Sequence, residues 1–383
     1  MEDTQKHGFS WPLFILMAGI TFMAILSELM PSGVLPGMAA GFDITEAQAG
    51  GFVGQYAIAS ALFGIPIVSV TVEWDRKKLL MLLLLGFAAA NALIGVVSVY
   101  WLAVAARVLG GICAGALWPM ISAYGMSLVS PSEYGKAVAV IMSGTTVGMS
   151  VGLPLMTWIG TTYGFHIEFI IMGIFILVMA VLCQTFLPHV SGEKRSKSNS
   201  PFTMLKNKGV LMVILLTVLA IVSNYGVYTY ITNLVEDIQY PGISLAQILF
   251  GIGSIVSVLL AGRFIDHHLQ AVSIGMLAAG GIAMASFYWV NTTFLHHITF
   301  ILWGVGFGAL VTLFQTAVTR QVEKGTPIAT SLQSAAFNFS IMIGSTVGGW
   351  LLVSGSSAPI VMMALILLVI GVIISMGARK TLA

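Results

Sequence analysis

Of the 383 residues, 58% are hydrophobic and only 8% are charged; soluble domains carry about 25% charged residues, so a soluble globular protein is excluded. The 42 glycines suit close helix packing in lipid, and the formal net charge of +2 gives no basis for a nucleic-acid surface. Cys113 and Cys183 fall in different apolar segments without metal-ligand spacing and read as small buried hydrophobes.

Twelve apolar segments of spanning length follow along the chain, at about 12–36, 47–71, 79–98, 101–124, 136–160, 166–187, 209–233, 243–264, 271–290, 296–318, 327–353 and 357–377. No small-residue cleavage site follows the first, which reads as a retained helix. The long polar interruption is Pro188 to Lys208, with a basic, flexible composition. The predicted architecture is therefore an all-α membrane protein: an N-terminal six-helix bundle (1–187), a linker (188–208) and a C-terminal six-helix bundle (209–383).

Lys and Arg set the orientation. Lys6, Arg76, Lys77, Lys78, Lys136, Lys194, Arg195, Lys197, Lys206, Lys208, Arg263, Arg320, Lys324, Arg379 and Lys380 fall on one side of a twelve-span chain. The opposite loops carry Asp43, Glu46, Glu168, Glu236 and Asp237 without a cation. The asymmetry predicts a multi-pass protein of the cell membrane with both termini cytoplasmic. The histidines lie at helix ends or in loops and read as solvated.

Two charges remain inside the spans. Glu28 is read as the sole acid, of the 14 in the chain, within a span, and Arg107 lies in segment four. A charge at the bilayer centre costs at least ~2.5 kcal/mol, so such residues face a cavity or a partner. At ~1.5 Å per residue, Glu28 lies about 12 Å from the outer end near Pro36, and Arg107 about 9 Å from the outer end near Trp101. The two are expected at similar depth.

The halves echo each other. Segment five has Gly144, Gly148 and Gly152 at spacing four, followed by Pro154; segment eleven has Gly344, Gly348 and Gly349. Asp75 and Arg76 follow segment two, while Gly262, Arg263 and Asp266 end segment eight. Equivalent features six helices apart indicate two parallel repeats about an axis along the membrane normal. The glycine rows are packing surfaces, and Pro154 interrupts the helix-five hydrogen-bond ladder.

These residues carry a resemblance that covers the whole chain. Glu28-Leu-Met-Pro31-Ser-Gly33, Asp75-Arg76-Lys77-Lys78, Arg107-Val-Leu-Gly110-Gly111, Gly148-Met-Ser-Val-Gly152-Leu-Pro154, Asn224-Tyr225-Gly-Val-Tyr228-Thr-Tyr230 and Ala336-Phe337-Asn338 resemble the major facilitator superfamily. The similarity is to its twelve-helix drug:proton antiporter branch, and within it to bacterial sugar (arabinose) and purine efflux permeases. The first half lacks the leading glycine of the usual Gly-x-x-x-Asp loop motif, and segment six begins Gly164-Phe165-His166 where the family often has Gly-Trp-Arg.

The resemblance implies that spans one, four, seven and ten line a central cavity, with Glu28 as the proton site and Arg107 tuning it. The plainer alternative is a structural pair that never titrates. It also implies that Asp75 and Arg76 belong to a cytoplasmic latch, and that Gly144, Gly148, Gly152 and Pro154 form a pivot. Gln55, Trp118, Asn224, Tyr225, Tyr228, Phe314, Gln315 and Asn338 are candidate substrate-cavity residues, because amides and hydroxyls inside a span need partners that a wet cavity supplies. The 21 methionines add an adaptable apolar surface.

The expected function is proton-coupled antiport of small molecules (drugs, sugars or nucleosides) out of the cell by alternating access, in a monomer with no metal and no cofactor. Proton-coupled uptake and uncoupled facilitation are the alternatives. With no Walker sequence, catalytic serine elbow or His-Glu pair on one helix, neither ATP-driven transport nor enzymatic catalysis is expected.

Overall fold

The computed structural model describes residues 9–130, 133–192, 206–290, 292–322 and 326–378. It is built of helices α1 (Trp11–Gly33), α2 (Leu35–Phe42), α3 (Glu46–Thr71), α4 (Arg76–Val96), α5 (Tyr100–Ser127), α6 (Tyr134–Val147), α7 (Leu153–Tyr163) and α8 (Phe165–Phe186) in the first half. The second half comprises α9 (Lys208–Thr229), α10 (Ile231–Asp237), α11 (Ile243–Ile265), α12 (His267–Trp289), α13 (Thr293–Phe307), α14 (Leu310–Thr319), α15 (Thr326–Leu352) and α16 (Ala358–Gly377). No strand occurs among the described residues.

Eleven spans among the described residues are long and apolar enough to cross a membrane. The remaining predicted span, α3, has 26 residues but is less apolar: it carries Glu46, Gln48 and Gln55 among many Gly, Ala and Ser residues. Its small side chains face protein on several sides. Gly50 and Gly54 pack on the second half, and Gly64 meets Gly115 of α5. Together the helices form the twelve-span, two-bundle architecture expected of the sequence.

Local chemistry sets the helix ends. Thr45 and Gln48 form a capping box at α3, with Gln48 N donating to Thr45 Oγ1 at 3.2 Å and Thr45 N to Gln48 Oε1 at 2.9 Å. Asp75 caps α4 by accepting from Lys78 N at 2.9 Å. Gly164, at φ +94°, turns α7 into α8, and Gly355, at φ +83°, makes the corresponding turn from α15 to α16. Spans eight and nine differ from expectation. No Gly or Pro separates them, so α11 runs into α12 through a bend at His268 (φ −136°, ψ 36°) instead of a loop.

The packing repeats six helices on. In the first half α1 packs on α6 and α7, α3 on α5, and α4 on α8. In the second half α9 packs on α15, α11 on α13, and α12 on α16. Both glycine rows serve the first member of their half. Gly144, Gly148 and Gly152 face Ala18, Phe22, Ile25 and Leu26 of α1, and Gly344 and Gly348 face Val222 and Gly226 of α9.

Breaks also repeat. The first span is interrupted at Val34, six positions after Glu28, and the seventh at Tyr230, six after Asn224. In the fifth span Pro154 removes a backbone donor, and residues Gly148–Gly152 form one turn of π-helix.

The halves meet through α3 on α15, the π turn and α7 on α11, and α1 on α9 and α10. Ser150 Oγ donates to Gly251 O at 3.1 Å, Asn233 Nδ2 donates to Glu46 Oε2, and Gly349 lies against Ala47. The Glu46–Asn233 and Ala47–Gly349 contacts lie at the ends of the spans that carry Asp43, Glu46, Glu236 and Asp237, and the Ser150 contact lies midway along the fifth span.

The Gly148 packing gives a first prediction. A Cβ at Gly148 would lie 2.6 Å from Ile25 Cγ2 and 3.1 Å from the Phe22 carbonyl oxygen. Gly148→Leu is therefore expected to push α6 from α1 and stop transport, while insertion persists because leucine is favoured in lipid. Immunoblots of membrane fractions beside transport rates check this; normal transport, or absence from the membrane, contradicts it.

Candidate functional site

The site begins with a missing hydrogen. Pro31 has no N–H, so Ser27 C=O lacks its usual helical donor. Arg107 of α5 supplies one: Nη1 donates to Ser27 O at 2.6 Å, Nη2 to Glu28 O at 2.9 Å and Nε to Phe52 O of α3 at 3.0 Å. Its guanidinium carbon stands 4.5 Å from the Tyr56 ring centroid. Gly110 and Gly111, against Tyr56, let α3 and α5 approach closely enough for this reach. The planar fork thus ties three spans together.

Arg107 and Glu28 are neighbours, as their similar depth predicts, but the contact differs from a carboxylate–guanidinium pair. The fork is filled by carbonyls and meets the backbone of Glu28. The Glu28 carboxyl, 4% exposed, instead faces the Tyr225 hydroxyl of α9, across the seam between the halves. Asn91 of α4 anchors the adjacent turn: its Nδ2 donates to Ser27 Oγ at 2.9 Å and to Phe87 O at 2.9 Å. Sequence reasoning missed Asn91 and Tyr56. The signal for Asn91 was a lone amide in an otherwise apolar segment.

The second half presents amides and rings at the corresponding level. Asn224 Oδ1 accepts from Trp303 Nε1 at 3.0 Å. Tyr228 packs on Phe250 and Trp303, with ring centroids 5.1 Å and 5.6 Å away, and its hydroxyl faces the buried Gln247 amide. Gln333 donates to Thr217. Gln247, Trp303 and Gln333 were not singled out from the sequence.

The other expected cavity residues are dispersed. Trp118, Gln315 and Asn338 are half-buried, with Asn338 bonding Ser334 O of its own helix at 3.0 Å. Phe314 is buried, and Gln55 donates to the Tyr100 hydroxyl at 3.4 Å at the start of α5. Among these residues, Tyr225 is brought to Glu28.

At the opposite end, Asp75 Oδ2 lies 3.1 Å from His189 Nδ1, and Arg76 N donates to Val190 O at 2.8 Å. Burial opposes the Asp75 charge, but the Lys78 backbone N–H, the His189 ring and the Lys78 charge outweigh it and hold the carboxyl below its usual range. The loop is thus tied to the chain leaving α8. Gly262 borders open space, and the Asp266 side chain lies outside the described residues.

Two expectations need correction. Glu168, expected in an outer loop, stands in the first turn of α8 and is fully buried, so Glu28 is not the sole acid enclosed by the helices. His296 is not solvated; it is 2% exposed, and its Nε2 lies 3.0 Å from Val290 O. Each sits one turn inside a helix start, where packing by the next span is invisible in a linear reading.

Comparison with known proteins agrees with this architecture. The chain is 26% identical over 379 residues to the inner membrane transport protein YdhP of Escherichia coli, covering 97% of each chain. Among solved structures it resembles the nucleoside transporter NupG (TM-score 0.74, 14% identity, 97% of this chain and 99% of that one). It also resembles the human organic anion transporter MFSD10 (TM-score 0.71, 16% identity, 95% and 98%). A third match is a bacterial homologue of the human lysosomal transporter Spinster in an inward-facing, unoccupied conformation (TM-score 0.68, 14% identity, 98% and 98%). The model of the Major Facilitator Superfamily matches residues 17–327. With the two-bundle fold, this match shows that the chain belongs to the Major Facilitator Superfamily and is a multi-pass membrane transporter of small molecules.

Proposed function

We propose that this transporter is a proton-coupled antiporter that exports small molecules by alternating access between a bundle formed by residues 1–187 and one formed by residues 209–383. One observation carries the reading: the buried Glu28 carboxyl faces Tyr225 across the seam, with no cation among the described residues bonded to it. Rearrangement of the halves changes that partner. A carboxyl whose surroundings change with conformation exchanges its proton on one side and not the other, which is the requirement for coupling. The close contacts at Glu46 and Gly349 support a state in which the halves are closed at the end predicted to face outward.

In this reading substrate binds beside Glu28 and Tyr225, and Arg107 positions the Glu28 turn. NupG is described as a nucleoside transporter, so a nucleoside is the first probe, followed by a sugar and a cationic dye. Inside-out vesicles loaded by each, with and without an imposed pH gradient, test the proposal. Accumulation that requires the gradient supports antiport; equal uptake without it indicates a facilitator.

The Lys and Arg asymmetry further predicts cytoplasmic termini. Ser198 lies outside the described residues but within the predicted cytoplasmic linker. Ser198→Cys is expected to resist an impermeant thiol reagent in intact cells and react after permeabilisation. Ready labelling of intact cells contradicts this orientation.

A further inference from the structure

A second buried acid lies outside the Glu28 site. Glu168 is 0% exposed, and neither carboxyl oxygen has a hydrogen-bond partner. It fills the space left by the absent side chain of Gly160 on α7, beside Val34 at the break of the first span. Thr157 Oγ1 of α7 and Ser32 Oγ of α1 are likewise buried without a hydrogen-bond partner. The Thr157 side chain fills the space beside Gly33. Thr157 and Gly160 are three apart on α7, and Ser32 and Glu28 are four apart on α1, so each pair shares a helix face.

An acid in a first helical turn ordinarily offsets the helix dipole from a solvated position. Glu168 is not solvated. Among the described residues, no charged side chain faces it from the helices packed against α8. The charges of α4 are Arg76, Lys77 and Lys78 at its far end, α7 contributes only the Tyr163 hydroxyl, and α1 carries only Glu28. His166, two residues away, packs its ring on Phe42 and Phe165. A buried carboxylate with neither hydrogen bond nor counterion is too costly to persist, so the enclosed form is the neutral acid.

The element that covers Glu168 has a break at its base. Gly160 of α7 lies on the carboxyl, and α7 starts at the π turn and Pro154; Gly41 and Phe42 of α2 lie over Phe165, one turn earlier on α8. Movement of α7 at this break uncovers the carboxyl toward the outer side.

We propose that Glu168 is a second proton-binding carboxyl, which takes up a proton from the outer side when α7 opens. This rests on the proton-coupled reading above for the direction of flow.

The test needs no substrate. Infrared difference spectra of the purified protein between acidic and alkaline buffer are compared for wild type, Glu168→Gln and Glu28→Gln, in the protonated-carboxyl stretching region. Two components are expected, one lost in each variant. Absence of the Glu28 component alone counts against the proton role of Glu28. A spectrum unchanged by Glu168→Gln overturns the proposal, as does a Glu168 carboxyl band that stays constant between the two buffers. If Glu168→Gln does not fold, Gly160→Ala replaces it: the added methyl presses on the carboxyl and is expected to shift its band, and an unshifted band overturns the proposal.

Discussion

Glu28→Gln is expected to reduce gradient-driven accumulation to the level seen without a gradient, a loss of at least about tenfold, while the protein still folds and inserts. Gln keeps the length and planarity of Glu and can still accept from the Tyr225 hydroxyl. The Arg107 bonds to the Ser27 and Glu28 carbonyls do not involve the side chain and survive the change. Only titration is removed. Substrate exchange at equal pH on both sides is therefore expected to persist, because it requires the conformational cycle but no proton. Accumulation at the wild-type rate under a pH gradient would exclude Glu28 as the coupling carboxyl.

Arg107→Ala is expected to have the larger effect on stability. The guanidinium serves three carbonyls on two other helices. Leaving buried acceptors unpaired costs about 1–3 kcal/mol each. Removal of a side chain with 2% exposure also leaves a cavity between α1, α3 and α5. The melting temperature in detergent is expected to fall by on the order of 10 °C. Arg107→Lys retains one or two of these bonds and is expected to lie between, since an ammonium cannot reproduce the planar fork. Because the contact is to main chain, the loss should be the same in the Glu28→Gln background. Strong non-additivity between Glu28→Gln and Arg107→Ala in melting temperature, or a wild-type value for Arg107→Ala, would contradict this role.

Much of the fold was legible because lipid imposes simple rules: spans must be long and apolar, and every backbone group must be satisfied within them. Helix length and the polar segment after Leu187 separate the spans; the glycine spacing at Gly144, Gly148 and Gly152 marks a tight interface that proves to be with α1. Glu28 stood out because a lone charge in an apolar stretch is costly. Side-chain direction was less legible. Lipid-facing and core-facing residues are both apolar, so periodicity does not tell which face is inside. Hence the depth of Arg107 was readable but its carbonyl partners were not, and Asn91, Tyr56 and Gln247 drew no notice. Glu168 was misassigned because one turn of helix separates a loop acid from a buried one, and the fold of α7 back onto α8, with Val34 of the distant first span beside it, is not written in the local sequence.

The Pro31 carbonyl gap has an evolutionary consequence. Ser27 C=O is open to Arg107 because residue 31 has no N–H. Pro31→Ala would close the helical ladder locally and make one of the three Arg107 bonds redundant. The two positions are therefore epistatic: a lineage that loses the proline relaxes selection on the arginine, while loss of the arginine first is deleterious. Across homologues Pro31 and Arg107 are expected to be inherited as a pair, with the proline the first of the two to change.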